Sequence, residues 1–78
     1  MLTKKEDLEK TFLEAKEQGL DVCVEVTVPG QRAAELIINR CESIDNKLAY
    51  YLATYNDDLV HNHNEEVKIV GFSMMKYF

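Results

Sequence analysis

Glycine is scarce, with three in 78 residues, and Gly19, Gly30 and Gly71 stand alone. No glycine-rich loop therefore exists to cradle a phosphate. Cysteine is equally sparse: Cys23 and Cys41 are too few for a disulfide scaffold and form no C-x-x-C pair, so both read as reduced thiols of a cytoplasmic protein. No apolar run approaches the roughly 20 residues of a membrane span. Lys4, Lys5 and Glu6 lead into further charge, which is not the pattern of a signal peptide. Basic residues are also in short supply. Nine Lys and Arg against fourteen Asp and Glu leave a net charge of −5. That balance opposes a conventional nucleic-acid binder, which neutralises phosphates with Lys and Arg, and it opposes adsorption to anionic membranes. Neither Ser43 nor Ser73 sits in an elbow or triad signature, and no local group activates either thiol. The expectation is a protein that is not an enzyme and uses no cofactor.

What is present suits one small globular domain: 46% of residues are hydrophobic and 29% charged. A chain this short buries only about 60% of its unfolded surface, so every element must share one core. The first helix is signalled at both ends. Thr3 and Glu6 have capping-box spacing, Leu8, Phe12 and Ala15 repeat at helical intervals with Leu13 on the flank, and Gly19 is the natural left-handed stop, with Leu20 closing back on Ala15. The helix is predicted over 4–18. Val22, Val24, Val26 and Val28 then alternate with Cys23, Glu25 and Thr27, as in a half-buried strand, which Pro29-Gly30 ends.

Arg-Ala-Ala-Glu-Leu has good helix propensity, so 31–39 has a helical reading. The Leu36-Ile37-Ile38 run, with its two β-branched isoleucines, and the Pro-Gly reversal favour a returning strand, with Ala34, Leu36 and Ile38 continuing the apolar face. A three-residue loop aligns those faces but sets Glu25 against Glu35, whereas a longer loop avoids the repulsion. Ile44, Leu48, Tyr51, Leu52, Tyr55 and Leu59 form one helical stripe, with Ser43 as N-cap and an end near Leu59. Positions 60–64 read as a polar loop. A last strand is predicted from about Glu66, with Val67 and Ile69 inward, a bulge at Gly71, and Phe72 and Met74 resuming the inner face. This α-β-β-α-β order predicts a two-layer α+β domain, two helices on one face of a three-stranded sheet, with the last strand beside either the first or the second.

Four sets of residues are candidate sites. His61 and His63, flanked by Asp57, Asp58, Glu65 and Glu66, have metal-ligand chemistry, although a solvated polar turn is the favoured reading and no metal is assigned. Tyr50 lies nearly opposite the apolar stripe of its helix, among Asn46, Ala49, Ala53 and Asp57; it is either a contact anchor or a solitary surface tyrosine. Asp57, Asp58, Glu65 and Glu66, with Glu42 and Asp45, either present carboxylates where phosphates lie in a basic groove or simply keep the domain soluble. The uncovered sheet face, with Cys23, Ile37 and Val70, and the tail from Met74 through Tyr77 and Phe78 offer apolar surface for a homodimer.

The runs Glu35-Leu36-Ile37-Ile38-Asn39, Asn46-Lys47-Leu48-Ala49-Tyr50-Tyr51, Tyr55-Asn56-Asp57-Asp58-Leu59 and Val67-Lys68-Ile69-Val70-Gly71-Phe72 resemble a group of small phage and prophage accessory proteins of Gram-positive bacteria. The likeness covers the C-terminal half. Arg40, Cys41, Ser43 and Ile44 stand where that group carries a proline after the asparagine and Asn-Phe opening the helix. The resemblance implies a strand over 35–39, a bacterial cytoplasm, no catalytic residues, and action by binding a host protein such as a restriction, CRISPR or other defence component.

Overall fold

The computed structural model describes residues 2–76, so Tyr77 and Phe78 of the apolar tail lie outside the described residues. Helix α1 (Lys4–Gln18) begins and ends on its sequence signals. Thr3 Oγ1 accepts from the Glu6 amide at 3.0 Å while Glu6 Oε1 accepts from the Thr3 amide at 2.9 Å. The backbone and hydroxyl of Thr3 hold the Glu6 carboxyl below its usual range. At the other end Gly19 takes φ 72°, and the Leu20 amide donates to the Ala15 carbonyl at 2.8 Å. Leu8, Phe12 and Ala15 are fully buried.

Strand β1 (Asp21–Thr27) turns Val22, Val24 and Val26 into the core. Gly30, at φ 83°, reverses the chain after Pro29, and β2 (Glu35–Asn39) returns antiparallel. The connection is the longer one: Glu25 pairs with Leu36 and Glu35 with Val26, so the two carboxylates are not opposed. This register inverts the expected phase of β2. Ile37, opposite Val24, packs against the core, while Leu36 and Ile38 face outwards. A slip of one residue exchanges the faces of a strand. The inward phase is set by Asn39, whose side chain is fully buried and finds partners there.

A 3₁₀ turn (Cys41–Ser43) leads into α2 (Ile44–Thr54). Ser43 makes no capping bond; instead the Asp21 carboxylate, on β1, accepts from the Cys41 amide at 2.8 Å. The helix stops at Thr54 rather than near Leu59, because Tyr55 is extended and bridges to His61. Leu59 is still buried, but a turn delivers it: Asn56 Oδ1 accepts from the Asp58 and Val60 amides at 2.9 and 3.0 Å, and Leu59 adopts φ 61°. The expected polar loop after it contains a strand, β3 (Val60–His61), paired with β4 (Asn64–Met75). Asn62 anchors the hairpin tip to the end of α2, its amide donating to the Thr54 carbonyl and its Nδ2 to that of Ala53.

The sheet thus has four strands, in the order β2-β1-β4-β3, not the three expected. β4 lies beside β1 and antiparallel to it, the first of the two expected placements. Its bulge falls where expected: Val24 pairs with Phe72 and Val26 with Ile69, leaving Val70 and Gly71 between them. The helices run antiparallel, joined at one end by Lys16 and Asp45 at 2.8 Å and at the other by the Lys5 amide on the Asp57 carbonyl at 3.2 Å. Phe12 meets Tyr51 edge-on, with ring centroids 5.6 Å apart. The result is an α+β domain with two helices and a four-stranded sheet among the described residues.

Candidate functional site

Tyr51 and Tyr50 are consecutive on α2 and have opposite fates. Tyr51 is 2% exposed and Tyr50 is 54% exposed. The Tyr51 hydroxyl donates to Asn39 Oδ1 at 3.2 Å, and Asn39 Nδ2 donates to the carbonyls of Val22 and Ile37. This network satisfies a polar cluster inside an otherwise apolar layer. Burial pushes the phenols of Tyr51 and Tyr55 above their usual range. The ring of Tyr50 stands edge-on to Tyr51 at 5.4 Å, so it is exposed yet braced against the core. Asn46 and Ala53, at i−4 and i+3, are exposed on the same helix, which preserves that part of the expected patch. Asp57 is not part of it, because the helix ends before the i+7 position.

The acids separate into two groups. Asp57 and Asp58 lie in the turn beside the start of α1, where Asp58 lines a cleft of about 410 Å³ with Lys4, Asp7 and Lys68 over Leu59 and Phe72. Glu65 and Glu66 border a second, more open depression with Val60, Thr27 and the same Lys68. Lysines are therefore interleaved with these carboxylates, and no uninterrupted acidic surface forms from the four.

His61 and His63 are close, with centroids 6.0 Å apart, and His61 also stands edge-on to Tyr55 at 5.5 Å. His61 Nδ1 accepts from the His63 amide at 3.0 Å, which occupies one ring nitrogen with the hairpin itself. Among the described residues no group of three or more His, Cys, Asp or Glu is arranged to hold a metal ion. Cys23 and Cys41 are unbridged and partly buried.

The uncovered sheet face carries more apolar surface than expected. Leu36, Ile38 and Val70 are 63%, 53% and 55% exposed, while Ile37, expected there, faces the core. A sequence signal for this existed: three consecutive apolar residues on one strand cannot all face one side. No helix among the described residues is long and apolar enough to cross a membrane.

These features define a small α+β domain of two helices and a four-stranded sheet among the described residues. Comparison with family models, curated proteins and solved structures returns no match for the chain.

Proposed function

We propose that this chain is a non-enzymatic, phage-type accessory protein of the bacterial cytoplasm that acts by binding another protein. The observation that carries the reading is Tyr50, a tyrosine exposed on α2 and held edge-on by the buried Tyr51. An aromatic anchor already braced by the core gives contact area at little entropic cost on binding. Asn46 beside it supplies a polar rim. The resemblance of the C-terminal half to phage accessory proteins supports a host protein as target. The net charge of −5 favours a basic target, such as a nucleic-acid-binding or defence protein, with Asp57 and Asp58 steering the encounter. The interleaved Lys68 makes Glu65 and Glu66 weaker contributors to that steering.

The test is capture from lysate of a Gram-positive host, followed by titration of the retained protein against Asp57→Lys/Asp58→Lys. Both side chains are exposed, so the swap is expected to leave the melting temperature nearly unchanged while weakening binding by more than about tenfold. Equal binding by the swapped protein refutes electrostatic steering. Failure of the native protein to retain any protein above bare resin refutes the reading as a whole.

A further inference from the structure

The two edges of the sheet are built differently. β3 is two residues long, and its pairing with β4 is irregular between Val60 and His61. Short, irregular edges resist pairing with other chains. β2 has none of these protections. It is five residues, Glu35-Leu36-Ile37-Ile38-Asn39, with no proline, no lysine and no register shift against β1, and it ends the strand order. An unprotected apolar edge of this kind is a template for another strand.

The distribution of side chains over the outer face decides how that edge is used. Leu36 lies in a row with Glu25 and Gly71, and Ile38 in a row with Cys23 and Ser73. Thr27 and Lys68 make the next row. Two of the three exposed apolar side chains of this face, Leu36 and Ile38, thus stand on the edge strand, while in the middle Val70 of β4 is accompanied by the carboxylate of Glu25, close over Gly71, and by Lys68. A second sheet stacked on this face would strip water from both charges. A strand laid alongside β2 leaves them solvated.

We propose that a second copy of this chain pairs antiparallel with β2 about a twofold axis at Ile37, joining two four-stranded sheets into one of eight. The strand is self-complementary in this register alone. Ile37 meets Ile37, Leu36 of each copy meets Ile38 of the other on the outer face, and Glu35 meets the neutral Asn39, so all five residues pair and no like charges oppose. Centring on Leu36 sets Glu35 against Ile37 and loses a pair, and centring on Ile38 sets Leu36 against Arg40. Odd shifts place an outward residue opposite an inward one. The inference goes beyond the Tyr50 reading and stands without it. An interface of five strand residues per copy is small, so the dimer is expected to dissociate in the micromolar range, with a Kd of about 1–100 µM.

Sedimentation equilibrium of the full chain across that range should show the mass rising from monomer to dimer, and Leu36→Lys or Ile38→Thr should shift the midpoint upward by more than tenfold. Register is read by disulfide trapping in a Cys23→Ser/Cys41→Ser background. Leu36→Cys protein mixed with Ile38→Cys protein should cross-link at least tenfold more than Leu36→Cys alone. A monomer throughout, association untouched by both edge variants, or preferential Leu36→Cys self-linking each overturns the proposal.

Discussion

Tyr51→Ala is expected to destabilise the domain by about 3–5 kcal/mol, the cost of emptying a large aromatic site in a core. The ring is 2% exposed and packs against Phe12 at 5.6 Å and Tyr55 at 6.0 Å. Its removal opens a cavity between the two helices and also strands Asn39 Oδ1 without its donor. Small domains have only some 5–10 kcal/mol of net stability, so the variant should lose a large share of it and unfold at a much lower urea concentration than the native chain. Tyr50→Ala, one residue away, should cost under about 1 kcal/mol, as exposed substitutions do. Urea midpoints of the two variants check the pair. Comparable losses would mean that both rings serve the core and that α2 has no free aromatic anchor.

The second large effect is at Asn39. This side chain is fully buried, donates to the carbonyl of Val22 at 3.1 Å and accepts from Tyr51 at 3.2 Å. Asn39→Ala leaves the Tyr51 hydroxyl without its acceptor, and each such orphan costs about 1–3 kcal/mol, so a total loss of about 2–4 kcal/mol is expected. Tyr51→Phe alone should cost about 1–2 kcal/mol by orphaning Asn39 Oδ1. Combined, the two changes remove both partners at once. The double variant should therefore be less destabilised than the sum of the singles by about 1 kcal/mol or more, and strict additivity would show that the bond contributes nothing.

Most of the helical layer was legible because its signals are local. The Thr3–Glu6 box and Gly19 fix both ends of α1, and the Ile44, Leu48, Tyr51 spacing fixes the phase of α2, including the outward placement of Tyr50. The alternating valines fix β1 for the same reason. The failures lie where phase depends on distant partners. Leu36-Ile37-Ile38 is apolar at every position and so carries no phase of its own; Asn39 sets it, through a hydrogen bond to a helix that follows later in the chain. Leu59 fits the helical stripe of α2 by spacing yet reaches the core through the Asn56 turn. β3 is two residues inside a polar stretch, and it exists because Asn62 ties the hairpin to the end of α2. Of the candidate interaction residues, Tyr50 and Asn46 share a helix as expected. The four acids form two pairs separated by six residues in sequence, and the turn and the hairpin assign Asp58 and the Glu65-Glu66 pair to separate depressions, each also lined by Lys68.

Whether Tyr50 is a binding anchor is decided by titrating the captured host protein, by calorimetry, against the native chain and Tyr50→Ala at a temperature where both are folded. A loss of affinity of more than about tenfold, with the melting temperature shifted by no more than a few degrees, is the predicted result. Equal affinity of the two proteins would contradict it.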